Sequence, residues 1–156
     1  MEITIRAYRD TDKNECMDAF KTNVPKFFSD QEVFDFADFL ERIEKGIDDI
    51  PFYVLSYNQK VIGCGGYAKD QNNEVFTLAW GLIHNDFHKK GFGEKLLSYR
   101  LEEIKRLYKN SSVIIDTTQH SAGFFEKYGF VTKKETENYY ALGMHRIDME
   151  LKNKTE

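Results

Sequence analysis

Two spacings of apolar residues alternate along this chain. Ile3 and Ile5 stand one polar residue apart, the period of a short half-buried strand. Cys16, Met17 and Phe20 follow at helical spacing, with Asp10 and Thr11 offering N-cap oxygens and Pro25 closing the segment. Ser29-Asp-Gln-Glu32 has the form of a capping box. It opens a second helix whose buried face reads Val33, Phe36, Ala37, Leu40 and Ile43, with Gly46 as its stop. Five phenylalanines crowd here (Phe27, Phe28, Phe34, Phe36, Phe39), more than one stripe needs, so some are expected to wall a binding cleft.

Two apolar runs, Phe52 to Tyr57 and Val61 to Ala68, flank Asn58-Gln-Lys60 and form a hairpin. Gly63, Gly65 and Gly66 in the second run predict a bulge or a close backbone approach. A polar turn then leads into Val75 to Ile83, completing a three-strand meander. From Gly91 to about Asn110 the period is helical again, with Leu96, Leu97, Leu101, Ile104 and Tyr108 on one stripe. Val113-Ile-Ile-Asp116 is a β-branched run whose continuity predicts burial on both faces. Its distance from the preceding strand predicts parallel pairing with Val75 to Ile83. Ser121 to Tyr128 reads as a short helix closed by Gly129. Val131 to Tyr140 and Met144 to Leu151 read as a last antiparallel pair, before a polar tail from Lys152. The expected architecture is mixed α/β in one domain over residues 1–156, with a core of about 2–152. Its sheet is central, mixed and mostly antiparallel, with about six or seven strands flanked by about four helices.

The chemistry concentrates where Ile83 passes through His84-Asn-Asp-Phe-His-Lys-Lys90 to Gly91. The first N–H groups of a helix lack partners within it, and the macrodipole makes that end positive. Gly91 and Gly93 let an anion approach the main chain, and Lys89 and Lys90 add charge. A dinucleotide fingerprint would need glycine at Leu96, and no Gly-Lys-Ser/Thr of a P-loop is present.

Composition narrows the classes. Hydrophobic residues at 41% and aromatics at 15% exclude disorder over most of the chain. A net charge of −4 gives no general attraction to nucleic acid, so the two lysines are a local feature. No apolar run reaches the roughly 18 residues of a membrane span. The N-terminal Met1-Glu-Ile-Thr-Ile-Arg has no signal-peptide pattern, and Cys16 and Cys64 are too few for a disulfide framework, so a cytoplasmic location is expected.

Two stretches carry a resemblance. Ile83-His-Asn-Asp-Phe-His-Lys-Lys-Gly-Phe-Gly93 resembles the strand end and Arg/Gln-x-x-Gly-x-Gly/Ala loop of the GNAT superfamily of acyltransferases. Phe124-Phe-Glu-Lys-Tyr-Gly-Phe130 resembles that family's Phe/Leu-Tyr-Glu-Lys-x-Gly-Phe segment. The resemblance implies an acetyl-CoA-dependent N-acetyltransferase without a metal. It places Leu82 and Ile83 where the family's strand lends backbone groups to pantetheine. It places His88, Lys89, Lys90, Gly91, Phe92, Gly93 and Glu94 on the pyrophosphate loop and first helical turn, and Thr118 where many members carry a cofactor-touching Asn. Phe125 falls where many members carry the Tyr thought to protonate the departing thiolate.

Phe125 cannot donate that proton, so Tyr128, Tyr139, Tyr140 or His120 would substitute, or solvent would. Coenzyme A has a thiol pKa of roughly 8.5, so solvent protonation is open at neutral pH. For the general base, Asp116 at its strand end is the first candidate and His84 the second. His84 and His88 lie in a loop, where a four-residue spacing does not bring both onto one metal. The expected acceptor is a small-molecule primary amine, and the acidic balance suits a cationic one such as a polyamine or an aminoglycoside. No nucleic acid or membrane partner is expected, while a homodimer through sheet edges or C-terminal strands fits the family. Alternatives are a protein N-acetyltransferase, a catalytically weakened acyl-CoA-binding sensor, and a non-enzymatic interaction module.

Overall fold

A computed structural model describes residues 2–152, so most of the expected polar tail, like Met1, lies outside the described residues. Strands β1 (Ile3–Ala7), β2 (Phe52–Tyr57), β3 (Lys60–Lys69), β4 (Val75–Ile83), β5 (Ser112–Thr117), β6 (Val131–Ala141) and β7 (Met144–Lys152) form one sheet. Its order is β1-β2-β3-β4-β5-β7-β6. All neighbours are antiparallel except β4 and β5. Four α-helices flank it: α1 (Lys13–Lys21), α2 (Asp30–Glu44), α3 (Phe92–Leu107) and α4 (Ala122–Glu126). Among the described residues no helix is long and apolar enough to cross a membrane.

Each face of the sheet is covered because each helix has one apolar side to bury. Cys16, Phe20, Phe36 and Leu40 of α1 and α2 pack on Phe52, Val54, Cys64 and Leu82. Leu97 and Ile104 of α3 and Phe125 of α4 pack with Tyr67, Phe76, Val113 and Met149. The β2–β3 turn has Asn58 and Gln59 at positive φ (50 and 72), the conformation that matches strand twist. Glu32 closes the start of α2 by accepting from both the N–H and the hydroxyl of Ser29, at 3.0 and 3.2 Å.

Three local expectations need correction. Asp10 and Thr11 lie in a 3-10 turn rather than capping α1. Asp12 holds the entry instead, accepting from the Arg9 N–H at 2.9 Å and pairing with the Arg6 guanidinium at 2.8 Å. Strand β5 is not buried on both faces, since Val113 is buried but Asp116 is exposed. The cause is in the pairing: β4 and β5 are joined only at Val75↔Ser112, Phe76↔Val113 and Thr77↔Ile114. Beyond those three pairs the strands part. The third correction concerns α4, which runs from Ala122 only to Glu126 before Gly129 turns the chain at φ 94.

Candidate active site

The gap between β4 and β5 is the feature around which the site is built. On its β4 side the strand is bulged, the register to β3 slipping between Cys64 and Gly66. Trp80 takes a positive φ of 48 there, and the following Gly81 is exposed. Past the bulge, the His84 N–H bonds the Ile62 carbonyl of β3 at 2.7 Å. Main-chain groups of an antiparallel strand alternate sides, so those of Ile83 face the gap. The Ile83 carbonyl there accepts from Asn23 Nδ2 at 2.9 Å and lies 2.7 Å from His88 Nε2, so the Ile83 N–H is the main-chain group left toward the gap, whereas the groups of Leu82, one residue earlier, turn to β3.

At the mouth of the gap, α3 starts without a side-chain cap, and its first helical bond runs from the Lys95 N–H to the Gly91 carbonyl at 3.2 Å. The amides of Phe92, Gly93 and Glu94 are left over for an anion. Lys89 and Gly91 both have positive φ (62 and 86), which bends the loop into the concave form that gathers N–H groups. Gly93 has ordinary φ, and a Cβ there would come within 3.6 Å of the Phe124 ring and 4.0 Å of Ile83. That glycine therefore stands where α3, α4 and the end of β4 converge.

One segment was missed in the sequence. Residues 22–29 run across the gap as a strap. Asn23, 3% exposed, donates from Nδ2 to the carbonyls of Ala19 (3.0 Å) and Ile83 (2.9 Å). Thr22 Oγ1 accepts from the Asn85 N–H at 2.9 Å. Phe27 meets His88 of the loop before α3 edge-on at 5.5 Å and His120 beyond β5 at 6.1 Å. Of the five phenylalanines, Phe27 is the one that stands between His88 and His120. Phe28, Phe36 and Phe39 pack in the core with Trp80, and Phe34 is 69% exposed. His88 turns back toward the strand, its Nε2 2.7 Å from the Ile83 carbonyl, so its ring does not reach out toward solvent.

The other wall holds a cluster of titratable groups. Asp116, at the parting end of β5, accepts a 2.5 Å hydrogen bond from the Tyr140 hydroxyl, and the Arg146 guanidinium lies 3.9 Å away. Burial, then this bond, pushes the Tyr140 phenol above its usual range and keeps it protonated. Glu32 faces the same cluster from α2; burial first, and then the charges of Asp35 and Asp116, raise its carboxyl.

The remaining candidates separate from that pair. His84 caps a 3-10 turn through Nδ1, which accepts from the Asp86 N–H at 3.1 Å. Tyr128 leans on Glu94 in the first turn of α3. Thr118 is 4% exposed, and its hydroxyl accepts from the His120 N–H at 3.3 Å. The Phe125 ring packs with Phe124 and Phe130 at 5.2 and 5.5 Å. A recess lined by Gly129, Val131, Lys133, Glu150, Leu151 and Lys152 lies at the opposite end of β5, where Ser112 pairs with Lys152, and takes no part.

Arg100 is the second group that sequence reasoning passed over. It sits among Leu96, Leu97 and Ile104 on the buried stripe of α3, and a charge at a core position was the signal available. Its guanidinium fills the space that side chains at positions 65 and 81 would need: a Cβ on Gly65 would stand 3.0 Å from Cζ, and one on Gly81 2.7 Å from Nη2. Gly63 and Gly66 answer to other neighbours, Ile83 and the Pro51–Phe52 backbone.

With this geometry in view, comparison with known proteins is specific. The model of the acetyltransferase (GNAT) domain matches residues 24–153, well over half of the chain. A search of curated proteins finds no match. Among solved structures, the ribosomal-protein-S18-alanine N-acetyltransferase from Escherichia coli is 17% identical, with TM-score 0.79 over 99% of this chain and 96% of that one. The structure of yncA from Salmonella typhimurium with its cofactor acetyl-CoA gives 17% identity and TM-score 0.76 over 100% and 96%. An aminoglycoside 6'-N-acetyltransferase complexed with coenzyme A gives 13% identity and TM-score 0.74 over 96% of both chains. At these identities the structural likeness speaks to the fold, and the domain match to the family. The chain belongs to the GNAT family and is an acetyl-CoA-dependent N-acetyltransferase.

Proposed function

We propose that the chain moves the acetyl group of acetyl-CoA directly to the primary amine of a small cationic molecule, with both substrates held in the β4–β5 gap. The observation that carries this reading is the parting of the two strands after Thr77 and Ile114, which leaves the uncapped amides of α3 at one side and Asp116 with Tyr140 at the other.

The diphosphate takes the amides of Phe92, Gly93 and Glu94, with Lys89 and Lys90 beside it. The pantetheine arm runs inward along Ile83, which brings the thioester toward the bulge at Trp80 and Gly81. The backbone N–H of Ile83, which turns away from β3, polarises the carbonyl. An ammonium-bearing acceptor is drawn to Asp116 and Glu32, and Asp116 takes the proton that the amine must lose before it attacks. Tyr140 holds the carboxylate in place. The electron pair of the broken C–S bond leaves on sulfur, which water protonates. Fixing both reactants in one gap supplies much of the acceleration.

Thiol release measured on a panel of polyamines, aminoglycosides and N-terminal peptides tests the reading. Faster turnover on the small cationic amines is expected. Turnover on peptides alone would overturn the small-molecule acceptor, and acetyl-CoA binding without turnover on any amine would favour a sensor.

A further inference from the structure

Arg100 is a buried cation to which the mechanism above gives no task. It is 3% exposed, with Nη1 donating to the Gly66 carbonyl at 3.2 Å and Nε to the Leu96 carbonyl at 3.4 Å. No carboxylate pairs with it among the described residues. Burial pulls its pKa down to about 10, which still leaves it charged at neutral pH. Cys64 on β3 is the titratable group near it, and burial, followed by its contact with Cys16, holds that thiol well above the usual range and therefore neutral. The charge is not cancelled. Its guanidinium stands directly behind Gly81, an exposed residue of the β4 bulge.

We infer that Arg100 is a positioning residue of the transfer step: it props the β4 bulge from behind and sets a fixed positive charge beneath the point where the thioester reacts. This rests on the placement of acetyl-CoA in the β4–β5 gap. As the amine nitrogen bonds the acetyl carbon, the carbonyl oxygen takes negative charge. When the C–S bond breaks, the pair passes to sulfur. Arg100 donates no proton in either event; its field lowers the cost of both anions. The cleft carboxylates Asp116 and Glu32 act with the opposite sign, and Arg146 is paired with Asp148 at 3.0 Å. An apolar residue on the α3 stripe would fill the space without the desolvation cost of a charge, yet this chain has glycine at both 65 and 81 to admit the guanidinium.

The test is an ultraviolet titration of the coenzyme A thiolate on the protein, beside calorimetry of coenzyme A binding and steady-state kinetics. In the wild type the bound thiol is expected about one unit or more below free coenzyme A. Arg100→Met and Arg100→Gln are expected to bind coenzyme A within about threefold of wild type, to return the thiol to its free value, and to lose about tenfold or more in kcat. Arg100→Lys keeps the charge and is expected to restore most of both. A wild-type thiol that titrates at or above the free value overturns the inference without any variant. So does a neutral variant whose thiol stays as depressed as in the wild type. Failure to bind coenzyme A at all refutes the cofactor placement and this inference with it, whereas binding with an unshifted thiol refutes this inference alone.

Discussion

The side-chain amide of Asn23 donates to the carbonyl of Ile83, 60 residues further on, at 2.9 Å. This single contact ties the strap after α1 to the main chain at the β4–β5 gap, and the same carbonyl is approached by His88. Removal of a buried donor leaves its acceptors short of a partner, at about 1–3 kcal/mol. Asn23→Ala is expected to lower the melting temperature by about 3–6 °C and to change affinity for coenzyme A. A calorimetric Kd and a melt within error of wild type would count against a structural role for the strap.

Asp116 and Tyr140 divide in a second experiment. Asp116→Asn keeps the shape of the carboxylate but not its basicity, so kcat is expected to fall about 10²–10⁴-fold while KM for acetyl-CoA holds. Tyr140→Phe leaves Asp116 in place without its hydrogen-bond donor, and a smaller loss is expected. Equal kcat for Asp116→Asn and wild type would remove Asp116 from the chemistry.

Tyr140 also sets an alkaline limit. Its phenol is raised in the fold, by burial and then by Asp116, so the folded chain keeps a proton that the unfolded chain loses above a pKa of roughly 10. The stabilisation is complete below that pH and is lost as pH rises further. Tyr8 and Tyr67 are raised too, mainly by burial, and add to the same loss. Denaturant melts from pH 9 to 11 are expected to show stability falling, less steeply in Tyr140→Phe than in wild type.

Glu32 gives a test at the acid end of the pH range. Its carboxyl is raised by burial and by neighbouring carboxylates, so this contribution is fullest below its unfolded pKa, roughly 4.3, and is lost as pH rises through the folded value. Glu32→Gln preserves a capping-box residue while removing the charge. It is expected to leave stability at pH 7 unchanged or improved and to raise KM for a cationic amine, with KM for acetyl-CoA constant. An unchanged amine KM would place the acceptor away from α2.

Much of this was legible in the chain because it depends on near neighbours. The capping box at Ser29 and Glu32, the Asn58-Gln59 turn and the glycine loop before α3 are all decided within a few residues. The glycines of β3 announced a close approach, but not that Arg100 would make it at Gly65, since α3 meets the sheet only in three dimensions. Phe27 could not be told from Phe28 by spacing, because what distinguishes it is the presence of His88 and His120 on either side. The expectation for β5 failed for a related reason: continuity of apolar residues suggests two covered faces, and only the parting of β4 exposes Asp116.

The diphosphate position itself is tested most directly by calorimetry of coenzyme A against wild type and Gly93→Glu. Position 93 has ordinary φ and only van der Waals neighbours, so the substitution carries none of the backbone strain that Gly91, at φ 86, would suffer. Binding weakened by about a hundredfold or more, or lost, with the melting temperature held within about 3 °C, is the expected result. Unchanged affinity in a folded Gly93→Glu protein would contradict it.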